Sequence, residues 1–347
     1  MLLTGCAALL ILGAESLPVS VLQPASSGTG VIVLDGITVP DIGPLPTVVQ
    51  VPSVNLSSSS KIELGKQLFF DPRLSRTNKV SCSYCHIPGS GFSDPHPTSV
   101  GVDDLAGGRQ APTVLNAAFS PFLFWDGRVS SLEEQVLGPI QNPIEMAETP
   151  AHLVVKLRKV KGYQQQFRNS FGTEVTLEGI ALAIAAFERT LISTNSAFDR
   201  YMQGDTHAMN QSAIRGMALF KGKARCILCH NGPNFTDNKF HNLGVPQVGP
   251  QKEDVGRYAV THQEQDRGAF KTPTLRSIID TTPYMHDGVF LSVEEVIDFL
   301  DKGGGPNAHL SPLMKPLGLT PENKMDLIAF LEALTGAPLK IEVPKLP

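Results

Sequence analysis

The feature that most constrains this chain is a pentapeptide, Cys-x-x-Cys-His, that occurs twice: CSYCH at residues 82–86 and CILCH at 226–230. These copies hold four of the five cysteines. Two thiols and an imidazole on one helical turn form the pattern that attaches a c-type haem, with the histidine as an axial iron ligand. The pattern predicts two haems, and the residues that would hold them are Cys82, Cys85, His86, Cys226, Cys229 and His230.

Other uses of paired cysteines fit less well. A zinc ribbon needs two cysteine pairs about 15–20 residues apart around one ion. Here the pairs lie in different halves of the chain, and each carries its own histidine. A thioredoxin-like redox motif needs a neighbouring βαβ pattern, which the sequence does not indicate.

The sequence around the pentapeptides is also repeated. GKQLF at 65–69 precedes the first copy and GMALF at 216–220 precedes the second. Each unit closes with a similar apolar segment, AIAAFERTL at 183–191 and LIAFLEALT at 327–335. Two copies of one order, helix, pentapeptide, loops and helix, predict a tandem pair of mainly α domains.

Length and composition agree with this division. A chain of 347 residues suggests two domains. We place the two domains at residues 61–204 and 205–347. The segment before them, 1–60, ends in an arm rich in Pro, Ser and Gly. The net charge of −4 argues against nucleic acid as a partner.

The start of the chain, MLLTGCAALLILGA, is apolar and predicts export to the periplasm. Two processing routes remain open. LTGC resembles a lipobox, in which Cys6 is lipidated and anchors the protein. Cleavage by an ordinary signal peptidase after the apolar stretch would instead remove Cys6. No apolar run reaches the roughly 18 residues of a membrane-spanning helix.

Start and stop signals predict several helices. Ser60 is a candidate N-cap for a helix that ends at Asp71, and apolar spacing predicts a helix over 177–192. A further helix should end at Gly222, and the last should begin at Thr320 and Pro321. Weaker signals indicate helices at 131–137, 151–160 and 292–302.

Four segments carry a family resemblance: APTVLNAAFSPFLFWDGRVSSLEEQVLGPIQNPIEM (111–146), AFERTLI, KTPTLRSI (271–278) and PYMHDG (283–288). They resemble the bacterial di-haem cytochrome c peroxidase family, which includes the methylamine dehydrogenase-maturing enzyme MauG. The resemblance implies two tandem cytochrome c-like domains, each with one covalently attached haem, joined by long loops.

The resemblance also implies roles for individual residues. His86 would be the proximal ligand of an N-terminal, peroxide-reacting haem, and His230 that of a C-terminal, electron-accepting haem. Trp125 would lie between the haems as an electron relay. Glu145 matches the distal acid–base carboxylate, and Gln135 matches the distal glutamine that helps to position peroxide.

A calcium ion between the domains is a further implication. Thr281 and Pro283 stand where two carbonyl ligands are expected, and Gln110 stands where the family commonly has Asn. A hard cation accepts such all-oxygen ligation.

Two positions depart from the family pattern. Val102 stands where the peroxidases have a histidine that must leave the N-terminal iron, so the distal side of that iron should be open. If a ligand is displaced there, His96 is the nearest candidate.

The second departure is Leu300, which stands where the C-terminal haem usually has Met or Tyr. Met314, His286, His309 or water would then be the sixth ligand. His286 is better explained as a structural or propionate-contacting residue, because the peroxidases keep it alongside their Met.

Three functions follow from these residues. The first is reduction of hydrogen peroxide with electrons from a small cytochrome c or cupredoxin. The second is MauG-like, peroxide-dependent oxidation of a side chain in a partner protein. The third, a non-catalytic di-haem electron carrier, requires two low-spin irons. Family members are often dimers, so the resemblance allows a homodimer, although no sequence feature identifies an interface.

Overall fold

The computed structural model describes residues 30–248 and 253–347, and it is mainly helical. The helices are α1 (Ser59–Phe70), α2 (Cys82–Cys85), α3 (Leu132–Gln141), α4 (Pro150–Arg158), α5 (Lys161–Phe171), α6 (Leu177–Glu188), α7 (Ala197–Met202), α8 (Gln211–Lys221), α9 (Tyr258–Thr261), α10 (Val293–Asp301) and α11 (Pro321–Glu332). Two antiparallel ribbons complete it, β1 (Val31–Leu34) with β2 (Ile37–Pro40) and β3 (Phe240–His241) with β4 (Phe270–Lys271). The predicted mainly α, tandem cytochrome c-like class is confirmed.

The helix ends follow local capping chemistry. Thr320 accepts a hydrogen bond from the backbone of Asn323 and Pro321 is the first residue of α11, as expected. The prediction for α1 was wrong by two residues, because the Ser58 hydroxyl, rather than that of Ser60, caps the helix at Lys61. Within the described residues, no helix is both long and apolar enough to span a membrane.

The first hydrophobic core joins α1, α6 and the helices between them. Gly65 allows α1 to lie directly on α6, since a Cβ there would come within 1.8 Å of the Ala183 carbonyl oxygen. Phe69 then packs edge-on against Phe187, with ring centroids 5.3 Å apart. This crossing places the first pentapeptide beside the core.

The second core is built in the same way from α8 and α11. A Cβ at Gly216 would come within 1.9 Å of the Asp326 carbonyl oxygen. Phe220 packs against Phe330 at 5.2 Å. The two predicted repeats are therefore equivalent in packing as well as in sequence.

The ends of the described chain cross between the cores. The β1–β2 hairpin lies on the second core through Val39 and Ile42, and Phe198 of α7 packs there too. The last residues, 337–347, return to the first core, where Leu339 and Ile341 pack. The division expected between 204 and 205 stays a prediction. Cys6 and the apolar start lie outside the described residues.

Candidate haem sites and distal pocket

Both pentapeptides present their histidine in the same way. The Nδ1 of His86 lies 3.3 Å from the carbonyl oxygen of Phe92, and the Nδ1 of His230 lies 2.9 Å from that of Phe235. Donation by Nδ1–H to these carbonyls leaves Nε2 available for iron, as is usual for a ligating histidine. None of the four pentapeptide cysteines forms a disulfide with another described residue.

Burial sets the protonation of these groups. It lowers the pKa of His86 and of His230, so that both imidazoles are neutral, the form that binds a metal. It raises the pKa of Cys85 to about 11 and that of Cys226 to about 12. These cysteines are therefore neutral thiols near neutral pH.

A cavity of about 270 Å³ opens in front of the second pentapeptide. Cys226, Cys229 and His230 form one wall. Much of the remaining lining comes from the segments 270–286 and 313–319, and α10 and α11 add apolar side chains. An apolar cavity with two thiols and a neutral imidazole on one wall fits a haem, so the residues present match the group that the motif predicts.

The structure separates the candidates for the sixth ligand of that haem. Leu300, Met314 and His286 all line the cavity. His309 is not among the lining residues, and its Nε2 lies 3.9 Å from a carboxylate oxygen of Glu264. Met314 therefore offers this cavity a thioether sulfur as a candidate sixth ligand, whereas the Leu300 side chain has no atom that binds iron.

His286 is held as a structural residue would be. Its ring is 2% exposed and stacks on Phe270 at 3.7 Å between centroids. Its Nε2 lies 3.2 Å from the side-chain nitrogen of Gln247. This packing agrees with the structural role expected for it, although the assignment stays a prediction.

In the N-terminal domain, Glu145 lies in the turn after α3. Asn142 donates a hydrogen bond to Glu145 Oε1 at 2.6 Å. Burial raises the pKa of Glu145, against the opposing effects of the Arg128 charge and the Asn142 hydrogen bond. A half-buried carboxyl with a raised pKa is suited to carrying a proton.

Val102 lies directly against this turn. It is 1% exposed, and its N–H donates to the Glu145 carbonyl oxygen at 2.9 Å. Gly101 makes the approach possible, because a Cβ there would lie 2.0 Å from the Ile144 carbonyl oxygen. The position expected to hold a displaceable histidine thus places an aliphatic side chain beside Glu145.

His96 and Gln135 complete the predicted residues of this domain. The side chain of His96 is 71% exposed, and its Nδ1 lies 2.8 Å from Asp94 Oδ1. Gln135 is half-buried on α3, the helix that leads into the turn holding Glu145. Its amide forms no hydrogen bond to another described residue.

Trp125 lies at the junction of the two domains. Its ring lines the C-terminal cavity, and its Nε1 donates to the Gln110 carbonyl oxygen at 2.9 Å. Next to it, Asp126 is held by Arg109, which also binds Asp254 through two hydrogen bonds. These contacts fix a single orientation for the only tryptophan of the chain.

The backbone on either side of Trp125 shows an internal symmetry. Lys271 N–H donates to the Trp125 carbonyl oxygen at 2.8 Å, and Gln110 N–H donates to the His286 carbonyl oxygen at 2.8 Å. The segments WDG and HDG occupy equivalent places, each after a residue with positive φ. Sequence reasoning missed this pairing, although the shared Pro-Thr in APTVL and TPTLR was a signal for it.

The three residues of the predicted calcium site line one region of the same cavity wall: Gln110, Thr281 and Pro283. The Gln110 side-chain nitrogen donates to Ser93 Oγ at 3.1 Å and to the Asp94 carbonyl oxygen at 3.0 Å. These bonds leave the amide oxygen of Gln110 for another partner. The cation itself stays a prediction.

Known proteins with this sequence pattern are similar over most of the chain. A model of the family described as di-haem cytochrome c peroxidase matches residues 59–207. The cytochrome-c peroxidase IdrP1 of Pseudomonas sp. (strain SCT) is 41% identical over 339 residues, which cover 89% of this chain and 89% of that protein. The methylamine utilization protein MauG of Methylorubrum extorquens is 43% identical over 306 residues, which cover 87% of this chain and 86% of that protein.

A solved structure agrees with these relatives. The crystal structure of a MauG-like protein associated with microbial copper homeostasis superposes with a TM-score of 0.78 and 32% identity. The match covers 84% of this chain and 95% of that one. Motifs, paired haem sites and relatives therefore agree, and the chain belongs to the di-haem cytochrome c peroxidase family.

Proposed function

We propose that this protein reduces hydrogen peroxide to water at the N-terminal site, with electrons that enter at the C-terminal site. The observation that carries the proposal is Glu145, a half-buried carboxyl with a raised pKa whose only side-chain donor among the described residues is Asn142. Breaking the peroxide O–O bond requires a proton to move from one oxygen to the other, and a positioned acid–base group performs that transfer.

Haems bound through thioether bonds to the pentapeptide cysteines would supply redox-active iron, and the reduced donor protein would supply the electrons. The protein's own contribution at the N-terminal site is to hold and move a proton. Glu145 takes the proton on Oε2, the oxygen that Asn142 does not bind, and returns it to the departing oxygen. Gln135 offers an amide that is free to orient peroxide. Val102 keeps the distal side apolar and without a competing ligand.

Trp125 serves the connection between the two sites. Its indole is fixed by the Gln110 carbonyl, and its backbone by Lys271. A rigid aromatic ring at the junction of the domains is suited to electron transfer because it changes position little when charge moves. A calcium ion held by Gln110, Thr281 and Pro283 would keep this junction ordered.

The electron donor that we propose is a small periplasmic cytochrome c or cupredoxin. The apolar start of the chain supports export, and Cys6 would carry a lipid anchor only if the chain is processed at the lipobox rather than by an ordinary signal peptidase. Haem attachment through cysteine thioethers fits the same compartment.

The test is steady-state turnover of hydrogen peroxide with a reduced small cytochrome c, in the wild type and in Glu145→Gln. We expect turnover in the wild type and a loss of about 10²–10⁴-fold in the variant. A wild type that shows no peroxide-dependent oxidation of the cytochrome would refute the proposal.

One observation favours a second function, the MauG-like oxidation of a partner protein. Val102 leaves no histidine to be displaced, which allows peroxide to react while both irons are ferric. Incubating the oxidised protein with peroxide and a candidate protein substrate would distinguish the two functions. A new side-chain modification on that substrate, with slow cytochrome c turnover, would favour the second.

A further inference from the structure

Glu188, the last residue of α6, is a buried carboxyl of the N-terminal domain that the proposed function does not use. The residue is 4% exposed, and its Oε2 has no hydrogen-bond partner among the described residues. Buried carboxyl groups are normally hydrogen-bonded or paired with a cation. An unpartnered oxygen in this place therefore calls for a ligand or a function.

The internal repeat fixes the register of α6 against α11. Gly65 meets the carbonyl oxygen of Ala183 and the Cβ of Phe187, and Gly216 meets the carbonyl oxygen of Asp326 and the Cβ of Phe330. Phe187 and Phe330 are thus equivalent. The residues that follow them, a glutamate in one domain and a leucine in the other, are equivalent as well.

The equivalent leucine shows which way the side chain points. Leu331 lines the C-terminal cavity together with Cys226 of the second pentapeptide. By the same geometry, Glu188 faces the haem site of the N-terminal domain. Its charge also raises the pKa of the Cys82 thiol, next to the larger effect of burial, which places the carboxyl near the first pentapeptide.

The charged groups around Glu188 are already committed. Arg189 of the same helix binds both carboxylate oxygens of Glu133 on α3, at 2.8 and 2.9 Å. Asn55 donates to Glu133 at 2.6 Å, and Lys61 of α1 donates to Asn55 at 3.0 Å. No cation in this network is directed at Glu188.

Burial raises the pKa of Glu188 to about 8, with the Arg189 charge acting against this rise and the Glu133 charge adding to it. The carboxyl is therefore mostly protonated at neutral pH. A neutral acid can stay in an apolar site, whereas its carboxylate needs a compensating positive charge.

We propose that Glu188 is a proton-exchanging carboxyl of the N-terminal haem site, an inference that rests on the haem attachment at Cys82, Cys85 and His86. When the site gives up one electron, Glu188 releases one proton to solvent. When the electron returns, one proton is taken up. The buried charge of the site stays constant in both directions. The C-terminal site has Leu331 in this place and therefore lacks this carboxyl.

The test is a redox titration of each haem from about pH 5 to pH 9. In the wild type, the redox equilibrium of the N-terminal haem should shift up to tenfold per pH unit near the pKa of the carboxyl, which is ~59 mV for one electron. In Glu188→Gln this dependence should be lost, while the C-terminal haem is unchanged. Glu178→Gln, an exposed glutamate on the same helix, is the matched control and should behave as wild type.

Two further measurements keep the proposal open to refutation if Glu188→Gln folds poorly. Glu188→Leu installs the residue of the C-terminal domain and should abolish the same dependence. In the wild type, infrared difference spectra between oxidised and reduced protein should show loss of a carboxylic acid C=O band on oxidation. Absence of that band change, or an unaltered pH dependence in either variant, would overturn the proposal.

A count of covalent haems separates this inference from the proposed function. If Glu188→Gln holds two covalent haems and the redox equilibrium of its N-terminal haem keeps the wild-type pH dependence, only the role of Glu188 is refuted. A single covalent haem would instead refute the attachment on which the proposed function also rests.

Discussion

In the N-terminal domain Phe69 packs on Phe187 at 5.3 Å, and in the C-terminal domain Phe220 packs on Phe330 at 5.2 Å. The interplanar angles, 62° and 65°, are nearly the same. Each pair lies beside a glycine that lets two helices cross at backbone contact. The parts that hold a haem have thus been kept in both copies.

The side chains that face the two haem sites differ. The N-terminal domain has two carboxyl groups whose pKa burial raises, Glu145 and Glu188, while the C-terminal domain has Leu300 and Leu331 lining its cavity. The two carboxyl groups can exchange protons, and the two leucine side chains cannot. The comparison supports the proposed division of roles, with peroxide chemistry at the N-terminal site and electron entry at the C-terminal site.

The strongest test removes one haem at a time. Cys82→Ala with Cys85→Ala should leave one covalent haem and abolish the reaction with peroxide, since the N-terminal site is lost. Cys226→Ala with Cys229→Ala should also leave one haem, but a single reaction with peroxide should persist. The pyridine haemochrome assay and rapid mixing measure the two outcomes. Equal loss of the peroxide reaction in both double variants would contradict the division of roles.

The proton-carrying group of the N-terminal site can be tested next. Glu145→Gln should retain both haems and slow peroxide reduction by about 10²–10⁴-fold, because the amide cannot accept and return the proton. Stopped-flow spectroscopy measures this rate. Glu134→Gln, at an exposed position of α3, is the control and should react as wild type. An unchanged rate in Glu145→Gln would remove this carboxyl from the mechanism.

A histidine introduced at position 102 should bind the N-terminal iron and close its distal side. The oxidised wild type should be high-spin at this haem and react with peroxide directly. Val102→His should make it low-spin, and even a ~1.4 kcal/mol preference for the bound imidazole would slow the reaction about tenfold. Val102→Leu, without a nitrogen atom, should stay high-spin. Electron paramagnetic resonance that shows a low-spin N-terminal haem in the wild type would contradict the expectation.

The shared scaffold predicts equal penalties in the two domains. Gly65→Ala and Gly216→Ala each force a Cβ against a carbonyl oxygen of the facing helix, and each should cost about 1–3 kcal/mol of stability. Chemical denaturation followed by far-ultraviolet circular dichroism measures the change. Gly89→Ala has no neighbour within 4 Å and serves as the control. A large cost in one domain only would show that the cores are less alike than their geometry indicates.

Much of this architecture could be predicted from local sequence patterns. The pentapeptides identified both haem sites, and the apolar spacing of α6 and the Thr320–Pro321 start of α11 identified two of the principal helices. These signals are local, because capping and amphipathic spacing act within a few residues. The motifs on either side of Val102 and Leu300 placed them near Glu145 and the C-terminal haem, and in the structure Val102 contacts Glu145 and Leu300 lines the cavity; their roles at the haems stay predictions.

Other features depend on contacts between distant segments. Helix α5 is polar along most of its length, and it is held by two residues, Phe167 in the core and Tyr163, which donates to Asp71 at 2.6 Å. In the sequence, Glu188 is only an acidic residue at the end of an apolar helix. Its position near the first pentapeptide depends on the register of α6 against α1, which a local pattern does not give. The β1–β2 hairpin did have a local signal, Asp35-Gly36, which sequence reasoning overlooked in a segment read as an arm.

Each end of the described chain packs on the core of the opposite domain, and this arrangement affects unfolding and proteolysis as well as folding. The hairpin that precedes the N-terminal domain covers the C-terminal core, and Lys221 binds its Asp41 at 2.7 Å. The tail that follows the C-terminal domain covers the N-terminal core, and Arg73 binds the Pro347 carbonyl oxygen at 3.1 Å. Melting of either half uncovers apolar surface on the other. We therefore expect the protease resistance of the two halves to be linked, so that a cut in the hairpin or in the tail shortens the lifetime of both haem sites.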